Sequence, residues 1–362
     1  MNATHLGDQL RLARNQLGLT LEQVKGQTGL GTSSLSEFET GTRDPSLRQL
    51  QLLSHAYQRP LSFFLSDPEP APREAVLWRD KPEPTVSARL GRQFLELCRQ
   101  FHLVERWCGE VSEPDLPVEA SRPRCYQDAE ALADRVRKRL GLGERPGVSL
   151  LRVLEEVARA KIFFVDSGLS GAAACTVHPE YGAGILLNAK HVPWRRNFDA
   201  AHELFHLVTW KAFGHDSSKP EVEPSEREEK FATCFARTLL MPRGPFRRAI
   251  ARERAKNSTP ETTVLRLARE FEVSVDAVVW ARATESKWTK EWATGLIERC
   301  RKRESQLFPR DRGCDPPDRP PRFTALIYQA LELGEISLGR AAQFLGVPRG
   351  VVRRNLRADA TI

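Results

Sequence analysis

The chain has 362 residues, more than one hydrophobic core usually serves, so its length favours two or three domains. Hydrophobic residues make up 40% and charged residues 28%, which is typical of a globular protein and excludes a disordered or fibrous chain. Neither an apolar run of about 18 residues nor a signal peptide is present, so we expect neither membrane insertion nor secretion. The seven cysteines include no C-x-x-C pair, which favours reduced thiols in the cytoplasm.

The net charge of +8 is unevenly distributed along the chain. Residues 299–362 hold 13 basic and 7 acidic residues, whereas residues 1–66 hold 6 and 5. The basic excess therefore lies in the C-terminal part, and the N-terminal part is nearly neutral.

The first 66 residues have the spacing of short helices throughout. Leu6 and Leu10 recur at helical spacing, and Thr20 is placed to cap a second helix that Gly29 ends. A third helix is predicted over residues 32–41, with a fourth after it. We expect an all-α domain here.

The region between residues 126 and 285 is mixed. Two amphipathic helices are predicted first, then three β-rich runs, at residues 161–167, 172–177 and 184–190, and helices again after residue 195. The predicted fold class is therefore mainly α with a small β-sheet, made of an all-α domain and an α+β domain.

Proline-rich and charged stretches divide the chain, at residues 67–85, 113–124 and 308–322. Five segments are predicted: a helical domain (1–66), a linker with an amphipathic helix (67–125), the α+β domain (126–285), a second linker (286–322) and a basic C-terminal helical module (323–362).

The strongest local signal is His202-Glu203-Leu204-Phe205-His206, in a predicted helix. Residues four apart lie on one face of a helix, so both imidazoles can bind one Zn²⁺. Glu203 is rotated by about 100° from His202, which places its carboxylate beside a zinc-activated water whose proton it can accept. The alternative interpretation is an ordinary buried helix with two hydrogen-bonded histidines.

A third zinc ligand is expected at the start of a second helix, within residues 225–242. Glu228 precedes Phe231 by three residues and falls on the packed face. Glu229 lines up with Ala232, a small residue that lets two helices approach closely. Spacing alone leaves both carboxylates open as the ligand.

Residues 195–207 (RRNFDAAHELFHL), followed at residue 229 by E-x-x-A-x-x-F-A-x-x-L-L-M-P, resemble the ImmA/IrrE family of metallo-endopeptidases. The family's third zinc ligand is the glutamate that opens the second motif, which is Glu229 here. Phe231 and Thr233 depart from the family pattern, which keeps Glu228 open. The resemblance implies a zincin-like fold for the α+β domain, with zinc bound by His202, His206 and Glu229 and with Glu203 as the catalytic base.

Other charged groups near the motif have less specific signals. His215 is predicted to be solvated on a loop, with oxyanion stabilisation as the alternative. Arg195 and Arg196 are candidates for binding substrate or for bracing the helix, and the sequence does not decide between them.

Residues 6–65 resemble the XRE/lambda-repressor helix-turn-helix family, through Thr20-Leu21-Glu22-Gln23, Gly29-Leu30-Gly31 and the run from Leu35 to Gly41. The resemblance implies that the third helix enters the major groove of operator DNA. The predicted base-facing residues are Thr32, Ser33, Ser34, Ser36 and Glu37, and the predicted phosphate contacts include Lys25 and Arg43. Because this part is nearly neutral, we expect a homodimer. The alternative is a helical module for protein contact.

Two later segments have the same helix-turn-helix spacing of apolar, capping and turn residues. Residues 264–281 are predicted to pack in the core. Residues 323–356 have Ser337 as a predicted cap, Gly346 as a predicted turn and a final arginine-rich helix. Phosphate contact and a solvated basic helix are equally compatible with that last helix.

The two resemblances imply a cytoplasmic transcriptional regulator, active in a stress response, whose zinc endopeptidase cleaves a partner repressor or antitoxin-like protein. The alternatives are a transcription factor that uses the peptidase fold as a zinc-dependent sensor or scaffold, and an antitoxin-like partner binder. The presence of Glu203 favours catalysis, because a scaffold has no use for it.

Overall fold

The computed structural model divides the chain into two units, residues 1–71 and residues 72–362, and each is considered by itself. The residues that the structure describes are 3–16, 19–57, 59, 61–65, 75–111, 116–166, 173–215, 223–286, 288–307, 315–317 and 319–359.

The first unit is a bundle of short helices, and its caps are those expected from the sequence. Its helices are α1 (Ala3–Gln16), α2 (Leu21–Thr28), α3 (Thr32–Thr40), α4 (Leu47–Tyr57) and α5 (Leu61–Leu65). The Thr20 hydroxyl accepts the N–H of Gln23 and begins α2, while Gly29 ends it at φ 72°. These contacts produce the tight turn between α2 and α3.

Helices α1 and α3 cross closely in this unit. A Cβ on Gly7 of α1 would lie 2.7 Å from the carbonyl oxygen of Phe38, so only glycine fits there. Beyond the crossing, the guanidinium of Arg14 donates to both carboxylate oxygens of Glu39, at 2.6 and 2.8 Å. Sterics and a two-pronged ion pair thus hold α3 in place.

The second unit is built around a four-stranded sheet with the order β1-β3-β4-β2. The strands are β1 (Leu77–Arg79), β2 (Lys161–Val165), β3 (Ala173–His178) and β4 (Gly182–Asn188). Strands β3 and β4 are antiparallel, as are β1 and β3, while β2 and β4 are parallel. The structure confirms the mainly helical fold class with a small sheet, and β2 to β4 form where strands were predicted.

The helices of the second unit cover both faces of the sheet. They are α6 (Pro84–Trp107), α7 (Tyr126–Arg139), α8 (Leu150–Glu156), α9 (Pro193–Phe213), α10 (Glu226–Leu240), α11 (Arg243–Ala255), α12 (Pro260–Phe271), α13 (Val275–Ser286), α14 (Lys290–Leu307), α15 (Pro321–Glu332), α16 (Leu338–Leu345) and α17 (Arg349–Asp359). Ile185 of β4 packs into the core that contains α7, α9 and α10, whereas its neighbour Leu186 packs into the core shared with α6 and α15.

Two predicted linkers contain ordered elements instead. Strand β1 lies within predicted linker residues 67–125 and pairs with β3, so Leu77 is buried opposite Cys175. Within predicted linker 286–322, α14 buries Leu296 and Cys300 in the same core as α12 and α13. The prolines and charged residues in and near these segments make the spacing of their apolar residues hard to recognise in the sequence. The segments are stabilised by contacts with elements that are distant along the chain. Residues 308–314 lie outside the described residues.

The C-terminal helices pack against α6. The rings of Phe101 and Phe323 stack with centroids 4.9 Å apart, and Arg322 donates to the buried carboxylate of Glu105 at 2.6 Å. Ser337 caps α16 and Gly346 ends it at φ 71°, where the sequence places a cap and a turn. Among the described residues, no helix combines the length and the apolar character needed to cross a membrane.

Candidate metal centre

Helix α9 carries the His-Glu-x-x-His motif through the centre of the second unit. It begins with Pro193 in its first turn and ends at Gly214, whose φ of 77° closes the last turn. It packs against β3 and β4, and almost every residue from Arg196 to Trp210 is buried. A charged motif in so apolar a setting requires partners.

Those partners come from α10. The Ser225 hydroxyl accepts the N–H of Glu228 and begins this helix. The first turn of α10 faces α9, where Glu228 and Glu229 contact His206 and His202. Glu229 Oε2 lies 3.0 Å from His202 Nε2, and its Oε1 lies 3.3 Å from His206 Nε2. The two Nε2 atoms are 3.4 Å apart. The three predicted metal ligands therefore meet at one point.

The donor set fits a zinc ion. Ligands at about 2.0–2.1 Å from Zn²⁺ in tetrahedral geometry lie about 3.3–3.4 Å from one another, close to the three separations found here. The surroundings also favour a positive charge. Burial by itself lowers the pKa of His206, but hydrogen bonds with Glu228 and Glu229 outweigh it and raise that pKa to about 9.

Glu203 is adjacent to this group but does not belong to it. Its carboxylate is 1% exposed, and among the described residues no hydrogen-bond partner reaches its Oε1. Burial raises the pKa of Glu203 to about 7, against the opposing effects of His206 and of the Cys175 thiol hydrogen bond. A carboxylate with a pKa near neutrality is suited to accept and return a proton.

A second buried cluster shares His206. Its Nδ1 lies 3.0 Å from Glu228 Oε1, and His215 Nε2 lies 2.8 Å from the same oxygen. All three side chains are almost fully buried, whereas the Glu229 side chain is 33% exposed. Because a catalytic zinc needs one position open to water and substrate, the group with Glu229 is the better metal site and the second cluster is a support.

The sequence-based interpretation of His215 as a solvated loop residue is wrong. Its side chain is 1% exposed and packs against the rings of Trp210 and Phe213, with centroids 5.4 and 6.1 Å away. The chain reverses direction at Gly214, directly after α9, and this places His215 against the end of that helix. No spacing rule in the sequence indicates that contact, because it depends on the chain reversal.

Asp199, one turn before His202, was not singled out in the sequence. It is buried and binds His191 Nδ1 at 2.8 Å and Arg195 Nε at 3.1 Å. Arg195 thus braces the helix, and Arg196 donates to the carbonyl of Ala189 at 3.3 Å.

Cys175 was missed too, although it lies beside Glu203. The thiol is fully buried on β3, and burial together with the nearby Glu203 charge raises its pKa well above the ordinary value. It is therefore a neutral thiol that donates to the Glu203 carboxylate. The described cysteines are all free thiols.

The predicted DNA-facing residues lie on and near α3. Ser33 and Ser36 are exposed, while Thr32, Ser34 and Glu37 are half-buried on the same helix. Two basic residues flank them. Lys25 is exposed and lies 3.3 Å from Glu22, and Arg43 lies 3.5 Å from Glu37.

Comparison with known proteins identifies two domains. Residues 156–280 match the Peptidase_M78 family, described as the IrrE N-terminal-like domain, and residues 10–64 match the HTH_3 family, described as helix-turn-helix. Both resemblances found in the sequence are confirmed at this level.

Curated relatives match over a short stretch. Sixty-two residues are 40% identical to the transcriptional regulator ClgR of Mycobacterium tuberculosis, which is 17% of this chain and 55% of ClgR. Sixty-three residues are 32% identical to an HTH-type transcriptional regulator of Sinorhizobium medicae, 17% of this chain and 45% of that protein. The chain thus spans about half the length of the curated relatives it matches.

Solved structures add little. PlcR of Bacillus thuringiensis, solved with the peptide PapR7 and DNA, aligns over 99% of both chains at 12% identity, with a TM-score of 0.17. A score that low does not indicate a shared fold.

Proposed function

Because the chain joins a helix-turn-helix domain to an IrrE N-terminal-like domain, we propose that it is a DNA-binding transcriptional regulator and a zinc-dependent endopeptidase. Its substrate is a partner repressor or antitoxin-like protein, whose cleavage switches gene expression. One observation carries the catalytic part. Glu203 is buried beside the three candidate ligands, yet it contributes no atom to them.

His202, His206 and Glu229 hold the metal in this proposal. When bound, zinc activates water and polarises the substrate carbonyl. Glu203 accepts the proton of the attacking water and returns it to the leaving amine. Cys175 restrains the carboxylate by donating a hydrogen bond from its thiol. Proton transfer of this kind contributes about 10²–10⁴-fold to the rate.

The first unit supplies operator binding. The turn at Gly29 presents α3 with Ser33 and Ser36 exposed, as a helix that reads the major groove requires. The match to ClgR, a transcriptional regulator, supports the same role. With a net charge of only +1 over residues 1–66, one copy makes few phosphate contacts, so we propose that a homodimer binds the operator.

The test of catalysis compares the zinc-loaded protein with its Glu203→Gln variant. Each is incubated with the proteins encoded beside its gene, and new fragments are identified by mass spectrometry. We expect one cleaved partner, produced by the wild type and not detectably by the variant, which keeps its zinc because the amide is isosteric.

In the cell, a Glu203→Gln strain is expected to leave the target genes repressed. Derepression equal to that of the wild type would refute regulation by proteolysis and favour the alternative, a zinc-dependent sensor or scaffold.

Operator binding is tested separately with the full chain and its own upstream DNA. We expect the affinity to fall as salt rises, because each phosphate contact releases counterions. A Ser36→Glu variant places a carboxylate against DNA and is expected to abolish binding. Binding that ignores both salt and this substitution would contradict the proposed interface.

A further inference from the structure

We propose that Glu228 and His215 are positioning residues for the metal-binding nitrogen of His206. Neither residue binds the metal in this proposal. Glu228 orients the imidazole by accepting its Nδ1 proton, and His215 fixes the Glu228 carboxylate in turn. The inference rests on the proposed zinc site and adds two residues to it.

The first step is the hydrogen-bond geometry. Glu228 Oε1 accepts from His206 Nδ1 at 3.0 Å and from His215 Nε2 at 2.8 Å. A neutral imidazole, the form that binds zinc, keeps a lone pair on Nε2 when it donates through Nδ1. That Nε2 is the atom 3.3 Å from Glu229 and 3.4 Å from His202 Nε2. Glu228 therefore selects the tautomer that zinc binding needs.

The second step is rigidity. Glu228 and His215 are 3% and 6% exposed, so water does not compete for their hydrogen bonds. The His215 ring is stacked on Phe213, at an interplanar angle of 22°, and the Ser225 hydroxyl caps the helix turn that carries Glu228. The His215 ring and the backbone that carries Glu228 are therefore both held in place, so the hydrogen bond from His206 Nδ1 meets a fixed acceptor.

The third step is the contrast between the two histidines of the motif. Among the described residues, no hydrogen-bond partner reaches His202 Nδ1, although that atom is buried. His202 is held instead by its contact with Glu229 Oε2 at 3.0 Å. Of the two motif histidines, only His206 has a carboxylate within hydrogen-bond distance of its Nδ1. The orientation of its ring therefore depends on Glu228.

The same three residues could in principle bind a metal themselves, since their donor atoms lie within 4.8 Å of one another. Their full burial argues against a catalytic role, because no open position would remain. Side chains that orient a ligating histidine typically change metal affinity by about 10–100-fold when they are removed. A positioning role therefore predicts a partial loss of zinc affinity when Glu228 or His215 is replaced, whereas a ligand role predicts complete loss.

The experiment measures zinc affinity by chelator competition in the full chain. Glu228→Met removes the acceptor at nearly constant size, and Glu228→Gln retains one acceptor oxygen. We expect the dissociation constant to rise about 10–100-fold in Glu228→Met and most of that loss to be recovered in Glu228→Gln. His215→Phe keeps the ring stacking and is expected to give a smaller rise. The matched control is Glu253→Gln, a buried carboxylate on α11 that binds Arg266, and it should leave zinc affinity unchanged.

A spectroscopic readout separates orientation from folding. In the zinc-loaded wild type, the Nδ1 proton of His206 should give a slowly exchanging downfield proton resonance, which Glu228→Met loses and Glu228→Gln keeps.

The outcomes are distinguishable. Wild-type zinc affinity in Glu228→Met overturns the positioning role while the proposed peptidase site stands. Complete loss of zinc in His215→Phe, equal to that in His206→Ala, also overturns it, because it would make His215 a ligand. If the wild type itself binds no zinc, the proposed function fails with it.

Discussion

Arg79 of β1 donates to the buried carboxylate of Asp199 on α9, with 2.6 Å between Nη1 and Oδ1. The guanidinium also lies over the ring of Phe198, 5.2 Å from its centroid. Asp199 precedes His202 by almost one helical turn, so the edge strand of the sheet is tied directly to the helix that carries the candidate metal site. A segment that reads as linker thereby takes part in holding that site.

Arg79→Met should destabilise the second unit by about 1–3 kcal/mol, since it leaves the buried Asp199 carboxylate with two hydrogen-bonding partners, His191 and Arg195, instead of three. All seven tryptophans lie in residues 72–362, so tryptophan fluorescence in denaturant follows this unit alone. Arg243→Met is the control, because Arg243 pairs with Glu130 but is 66% exposed, and such pairs contribute about 0–1 kcal/mol. Equal effects of the two substitutions would contradict the bracing role of Arg79.

Glu229→Gln should strip most of the zinc, because an amide oxygen replaces the anionic ligand between the two Nε2 atoms. Metal analysis of the purified protein measures the occupancy. Glu226→Gln provides the control on the same helix, since Glu226 is 86% exposed and pairs only with Lys230 among the described contacts. Full zinc occupancy in Glu229→Gln would rule out this carboxylate as the third ligand.

Glu155 should make the second unit less stable as the pH rises. Burial raises its pKa to about 7, against the opposing hydrogen bond from the Arg322 backbone N–H. The folded state therefore keeps a proton that the unfolded state has lost, and the free energy of unfolding falls between about pH 4.5 and pH 7.

Glu155→Gln cannot ionise and still accepts the Arg322 N–H, so it should gain about 1–3 kcal/mol relative to the wild type at pH 8 and little at pH 4.5. Denaturant unfolding at both pH values, followed by tryptophan fluorescence, gives this difference. A difference that does not vary with pH would mean that Glu155 titrates normally.

Gly7→Ala should destabilise the first unit by about 1–3 kcal/mol, because its methyl group would collide with the backbone carbonyls of Phe38 and Glu39 at 2.7 and 2.9 Å. Gly26→Ala is the matched substitution in α2, where nothing lies within 4 Å, and it should stabilise by about 0.5–1 kcal/mol. Hydrogen exchange of peptides from residues 19–57 in the full chain measures both. Slower exchange in Gly7→Ala than in the wild type would refute the close helix crossing.

Much of the candidate site could be predicted because its signals are local. The spacing of His202 and His206 places two imidazoles on one helical face whatever surrounds them, since 3.6 residues per turn is a property of the backbone. Thr20 and Gly29 likewise mark the ends of α2 through contacts with their own neighbours. The runs that form β2, β3 and β4 are apolar enough to be recognised as buried strands.

The family resemblance implied Glu229 as a ligand, but only the tertiary structure shows its carboxylate at the two Nε2 atoms and that of Glu228 at His206 Nδ1. Adjacent residues on a helix differ by about 100° in direction, so the choice depends on how α10 is rotated against α9. The same holds for His215, which a chain reversal buries, and for Arg79, whose partner is 120 residues away. Local sequence determines which side chains share a face, whereas packing between distant elements determines what that face meets.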